Sequence, residues 1–180
     1  MSHAELRSTE RALDVHALDA LAFREALSKA VTAVTVVTTD GPHGTAGVTC
    51  SAVSSVSDTP PTVLVCINRR SAANAVIKAN GVLSVNWLCA EQIDVSQLFA
   101  GAGGVPMQDR FSQHEWTRLA TGAPCSTDAL VSLDCHIAEA MEVGTHSIFL
   151  ARVLAATHAD SGAPLVYCQR AYATTQPAQP

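Results

Sequence analysis

The chain has 180 residues and a mass of 18.8 kDa, the size of one ordinary domain and cramped for two. With 48% hydrophobic and 15% charged residues and a mean hydropathy of +0.20, a disordered or purely solvating chain is excluded. A formal charge of −5 gives no basic field for a nucleic-acid backbone. No apolar run approaches the roughly 18–20 residues of a bilayer span, and charges alternate where a secretory signal would carry an apolar core, so a cytoplasmic protein with no membrane partner is expected.

Nine of the 27 charged residues lie in the first 30 positions. Residues 4 to 30 lack Gly and Pro, and Leu13, Leu18, Leu21, Ala22 and Phe23 approximate an apolar stripe, which predicts one or two N-terminal helices. The body that follows is poor in charge, which either reflects a mostly Ser/Thr exterior or, the favoured reading, predicts burial against a second copy in a homodimer. Val31 to Thr39 is almost wholly Val and Thr, a β-branched composition suited to a pleated strand. Asp40-Gly41-Pro42-His43-Gly44 then makes a turn into a second strand, Thr45 to Val56, stopped by Pro60-Pro61.

Thr62 to Asn68 reads as a strand, Ser71 to Lys78 as a short helix, Gly81 to Leu88 as a strand and Ala90 to Phe99 as a helix. Gly101 to Gln108 is a Gly/Pro loop. From Ala129 to Met141 the residues alternate, with Val131, Leu133, Cys135, Ile137 and Met141 on one face and Ser132, Asp134 and His136 on the other. His146 to Thr157 and Leu165 to Tyr172 complete six or seven strands, and Gln176 to Pro180 is a frayed tail. Strands outnumber helices without a βαβ rhythm, so a mainly antiparallel barrel with peripheral helices is expected rather than a doubly wound sheet.

Several chemistries fail on spacing. Six scattered cysteines contain no C-x-x-C pair and read as buried thiols, while the seven histidines contain no H-x-x-x-H pair, so no metal site is expected. Gly101-Ala102-Gly103-Gly104 has Pro106 where a dinucleotide fingerprint needs its third glycine. Two clusters remain. The stretch from Gly47 to Ser57, rich in small hydroxyl residues, either lets a flat ligand approach the backbone or turns a barrel corner. Asn68-Arg69-Arg70-Ser71 opens a helix, where free N–H groups favour an anion, or where Ser71 simply caps.

Taken together, these pieces resemble the short-chain flavin reductase family, the FMN-binding split-barrel reductases that serve two-component flavin-dependent monooxygenases. The match spans residues 23 to 173, between an N-terminal helical extension over 1–22 and a tail over 174–180. It runs through Phe23-Arg24, Thr35-Val36-Val37-Thr38, Gly47-Val48-Thr49-Cys50-Ser51-Ala52, Ser55-Val56-Ser57 and Cys66-Ile67-Asn68 followed by Ser71. It continues through Phe99-Ala100, Arg110-Phe111, Gly122-Ala123-Pro124, Leu133-Asp134-Cys135, Gly144-Thr145-His146 and Pro164-Leu165-Val166-Tyr167 with Arg170 and Tyr172.

The resemblance implies an antiparallel split barrel and an NADH-dependent flavin reductase that reduces FAD or FMN and releases it to a partner monooxygenase. It implies that Val48, Thr49, Cys50 and Ser51 line the isoalloxazine edge with Ser54 and Ser55 nearby, and that Asn68 and Ser71 approach the ribityl phosphate. Phe99, Arg110 and Tyr172 complete the implied cofactor contacts. His146 matches the histidine placed beside the nicotinamide, but Thr145 stands where the family's Gly-Asp-His stretch has its carboxylate. Hydride transfer between two rings requires neither nucleophile nor metal, which accords with the absence of a triad. Two rival readings are a non-catalytic flavin carrier or sensor and a stand-alone flavin or ferric reductase.

Overall fold

The computed structural model describes residues 18–176. Helix α1 (Ala20–Leu27) is N-capped by Asp19, whose carboxylate accepts from the Leu21 and Ala22 N–H groups at 2.7 and 3.3 Å. It buries no side chain: Leu18, Leu21, Phe23 and Leu27 are all more than half exposed, and Leu13 of the expected stripe lies outside the described residues.

The Val/Thr-rich stretch forms two strands, β1 (Thr32–Ala33) and β2 (Thr35–Thr39), parted at Val34. All five residues of β2 are buried. Val37 joins the main core and Val36 a second one, so both faces of β2 are covered, and an unbroken β-branched run satisfies both.

The expected strand from Thr45 to Val56 is instead two: β3 (Ala46–Cys50) and β4 (Val53–Asp58). They then take opposite edges of a seven-stranded antiparallel sheet ordered β3-β2-β6-β9-β10-β5-β4, with β5 Pro61–Asn68, β6 Val82–Trp87, β9 Val131–Val143 and β10 His146–His158. Only Ser51 and Ala52 connect those two edges, so the sheet has to roll up on itself. The Cys66 N–H donates to the Ala52 carbonyl at 2.9 Å, carrying the β4–β5 ladder to the seam, and the Cys50 thiol at the end of β3 reaches the Cys66 carbonyl at 3.3 Å. The expected antiparallel barrel is present, and its seam lies at Ser51-Ala52.

Val65, Leu83, Val85, Cys135, Phe149 and Ala151 fill the barrel at 0% exposure. Helix α2 (Ala72–Asn80) plugs one end with Ala73 and Ile77, and stops at Gly81, whose φ of 70° is a left-handed cap. Outside the barrel, α3 (Ile93–Phe99) packs on β2 and β3. The expected loop from Gly101 to Gln108 carries a 3₁₀ turn (Ala102–Gly104) and the start of α4 (Met107–Phe111).

The polar face of β9 is covered over its first half, whereas His136 further along it is exposed. Ser132 and Asp134 are buried beneath a hairpin the sequence reading missed, β7 (Trp116–Arg118) with β8 (Pro124–Ser126). Asn86 Oδ1 accepts there from the Ser126 N–H and the Ser132 hydroxyl, both at 2.8 Å. The Asp134 carboxyl group accepts from the Thr121 N–H at 2.7 Å and from its hydroxyl, so the buried oxygens are met by donors.

The expected strand Leu165 to Tyr172 is likewise a hairpin, β11 (Leu165–Cys168) and β12 (Ala171–Thr174), which forms a small sheet with β1. Its turn places Gln169 and Arg170 at φ 51° and 63°.

Candidate functional site

The barrel's closure brings three chain segments to one mouth. At the seam, β3 runs out through Thr49 and Cys50 into Ser51-Ala52; β5 ends and β10 begins side by side, with Asn68 directly opposite His146. Helix α2 starts four residues after Asn68. A cavity of about 200 Å³ between these segments is lined by Val48, Thr49, Cys50 and Ser51 from the seam, Cys66, Asn68 and Ser71 from the β5–α2 junction, and His146. A second cavity of about 250 Å³ on the other side of the same Thr49–Ser51 backbone is lined by Val34, Ser96, Ala100, Tyr167 and Tyr172.

Small side chains keep this backbone open. The Thr49 hydroxyl donates to the Ser96 carbonyl at 2.6 Å, tying the strand to α3, and the Ser96 hydroxyl lies 3.0 Å from that of Tyr172. The Cys50 thiol donates to the Cys66 carbonyl at 3.3 Å, and burial pushes its pKa up to about 11. Burial also raises the Cys66 thiol. Both are therefore uncharged walls at neutral pH, not nucleophiles.

At the other end of the first cavity the Asn68 side chain accepts from the Arg70 N–H at 2.9 Å, and its carbonyl accepts from the Ser71 N–H at 3.0 Å, a tight turn that delivers Ser71 to the head of α2. Ser71 has the extended backbone of an N-cap, φ −67° and ψ 130°, yet its side chain makes no capping bond. Its hydroxyl and the free N–H groups of the first helical turn are left for another acceptor. Arg69 is held by Glu142 at 2.9 Å, whereas exposed Arg70 makes no ion pair among the described residues. Lys78 first, then the Ser147 hydroxyl and Arg69, hold the Glu142 carboxyl below its usual range. On the facing turn the His146 Nδ1 lies 2.9 Å from the Thr145 hydroxyl.

Four residues implied by the resemblance lie elsewhere. Ser54 and Ser55 sit on the exposed edge strand β4 and line neither cavity, and the Ser54 hydroxyl donates to the Ser55 carbonyl at 3.2 Å. Phe99, 2% exposed, is the centre of an aromatic cluster, with ring centroids 5.1 Å from Phe111 and 5.6 Å from Trp116. Arg110 donates from Nε to the Val105 carbonyl at 2.9 Å and braces the glycine loop. Sequence reasoning missed Ser96, which carries no signal of its own in mid-helix, and passed over Cys66 and Tyr167, which stood within quoted motifs. Among the described residues no three His, Cys, Asp or Glu side chains are grouped to hold a metal ion.

An antiparallel barrel rolled about a seam that two cavities share has the architecture of a split barrel. Residues 27–176 match the model of the flavin reductase like domain, and the chain belongs to that family. The FMN reductase (NADH) RutF of Serratia proteamaculans is 49% identical over 150 residues, 83% of this chain and 85% of that protein. Among solved structures, BorF, the flavin reductase component of a bacterial two-component tryptophan halogenase, aligns with a TM-score of 0.81 at 33% identity, over 89% of this chain and 100% of its own. The Streptomyces globisporus C-1027 NADH:FAD oxidoreductase SgcE6, in complex with NAD and FAD fragments, aligns at a TM-score of 0.80 and 29% identity, over 88% of this chain and 94% of its own.

Proposed function

We propose that the protein is an NADH:flavin oxidoreductase that reduces FMN or FAD and releases the product to a flavin-dependent monooxygenase. One observation carries the reading: a single cavity places the open Thr49–Ser51 backbone, an N-cap serine with an unused hydroxyl and His146 around one space. The residues fit a flavin, which when bound takes up hydride at N5 from nicotinamide C4. The seam backbone meets the polar edge of the ring and stabilises negative charge gained on reduction. Ser71 and the first turn of α2 hold the phosphate, Asn68 fixes the turn that presents them, and His146 orients the nicotinamide at the mouth. FMN and FAD share the ring and first phosphate; the name of the RutF relatives supports FMN, and that of SgcE6 supports FAD.

The unit that does this is taken as residues 23–173, acting in the cytoplasm as a homodimer. The exposed apolar side chains of α1, with Val31 at 62%, support the dimer, since association would remove them from water. No helix among the described residues is long and apolar enough to cross a membrane.

The deciding experiment is NADH oxidation in the presence of riboflavin, FMN and FAD in turn. Flavin-dependent oxidation faster with NADH than with NADPH is expected, because no arginine of this chain is tied by a fingerprint to a 2′-phosphate. Equal or faster NADPH rates would overturn the nicotinamide preference, and bound flavin that NADH leaves oxidised would make the protein a carrier. Stimulation of a cognate oxygenase by the pair separates a two-component reductase from a stand-alone one.

Ser71→Ala should weaken FMN and FAD binding by about 1–2 kcal/mol, the scale of one charge-assisted hydrogen bond, and leave riboflavin binding unchanged. An equal loss for riboflavin, measured by fluorescence titration, would show that Ser71 acts only on the helix.

A further inference from the structure

We propose that Thr145 is a positioning residue for His146, fixing the direction of the imidazole without fixing its charge; this rests on the placement of His146 at the nicotinamide given above. The ring lines the cavity, and its only protein partner among the described residues is the Thr145 hydroxyl, 2.9 Å from Nδ1. With Nδ1 engaged on the turn, Nε2 is the ring nitrogen left for a ligand.

The turn that carries the hydroxyl is itself fastened to the phosphate end of the site. The Thr145 carbonyl accepts from the Arg69 N–H at 2.9 Å, and the Gly144 carbonyl accepts from the Arg69 guanidinium at 3.5 Å. Arg69 in turn pairs with Glu142 at 2.9 Å, and the same carboxylate takes the Lys78 ammonium and the Ser147 hydroxyl. Gly144 reaches the required φ of 55° without a Cβ penalty. Two adjacent residues therefore share one hydrogen-bonded turn, and a side chain on it can direct a neighbouring ring.

The choice of a hydroxyl has a chemical consequence. A carboxylate only accepts, so it demands a proton on Nδ1 and favours the imidazolium. A threonine hydroxyl donates to a bare Nδ1 or accepts from a protonated one equally well. His146 can then present Nε2 to the nicotinamide carboxamide either as a donor to its oxygen or as an acceptor from its amide, with no added charge. Orientation comes from Thr145, and the proton position is left to the ligand.

The test compares Thr145→Val, Thr145→Ser and His146→Ala, using ring ¹⁵N spectra of His146 in the flavin-free protein and single-turnover flavin reduction by NADH. Thr145→Val keeps the volume and removes the hydrogen bond. It should shift the His146 ring resonances and slow reduction roughly three- to tenfold, the range of one ordinary hydrogen bond, with the flavin dissociation constant unchanged. Thr145→Ser should restore both ring spectrum and rate. Unchanged ring resonances in Thr145→Val, or a Thr145→Ser variant as slow as Thr145→Val, would overturn the proposal while leaving His146 in the site. A wild-type rate in folded His146→Ala would instead overturn the placement of His146, and Thr145 with it.

Discussion

Phe99→Ala should lower the stability of the protein by about 3–5 kcal/mol, the largest single loss expected among these residues. The ring is 2% exposed, and its edge-on contacts with Phe111 and Trp116 have centroid separations of 5.1 and 5.6 Å. It also lies directly over Gly47: a Cβ built there would stand 2.6 Å from a Phe99 ring carbon. The glycine is thus small because the phenylalanine is large, and truncating the ring opens a void under β3 that the close-packed surroundings cannot fill. Since Gly47 is two residues from Thr49, whose hydroxyl is anchored to the Ser96 carbonyl on the same helix as Phe99, the void loosens the strand that lines both cavities. For a chain of this length the thermal midpoint should fall by roughly 6–20 °C, read by circular dichroism, and Phe99→Leu should lose less. A Phe99→Ala protein with a normal midpoint and weakened flavin binding would return Phe99 to the cofactor, as the family resemblance implies.

Elements written in one physical rule were legible in the sequence; those that depended on distant neighbours were not. Strand β2 is a β-branched run because both of its faces are covered, and α2 lies between a serine and a glycine that serve as its two ends. The break at Ser51-Ala52 is different. Small residues suit a continuous strand, a corner and a ligand-facing backbone alike, so the stretch alone did not say that the chain leaves one sheet edge for the other. The buried side of Ser132 and Asp134 was hidden for a similar reason: a polar face reads as solvent-facing until the three-residue strands β7 and β8 that cover it are seen, and such strands are too short to show a period. The turn at Gln169-Arg170 adopts positive φ without the Gly or Asn that announces it. In the site, Thr49 to Ser51, Asn68, Ser71 and His146 were found as positions of a family pattern, and the fold gathers them into one cavity. Phe99 was quoted from the same pattern, yet its size serves the packing beneath Gly47. Position in a motif does not separate a residue that touches a ligand from one that holds the strand that does.

His146→Ala should slow hydride transfer to flavin by about tenfold or more, a change of ~1.4 kcal/mol in the barrier for each factor of ten. His146 is the first residue of β10, paired with Asn68 on one side and Val143 on the other, so its backbone is fixed by two strands while its side chain reaches the mouth of the cavity. Removing the imidazole leaves those backbone pairs intact, and His146 belongs to neither core cluster, so the thermal midpoint should change little. The flavin dissociation constant should also hold, because the seam backbone and Ser71 stand on the other walls of the same cavity. What is lost is the group proposed to meet the nicotinamide, and the effect should appear in the single-turnover reduction rate or in the NADH concentration required to reach it. Three measurements on one variant, the thermal midpoint, the flavin dissociation constant and the reduction rate, separate this from a structural histidine, whose loss would lower the midpoint and disturb both ligands together. A folded variant that reduces flavin at the wild-type rate would exclude His146 from the reaction, and the nicotinamide would then belong to the second cavity, against Tyr172 and Tyr167.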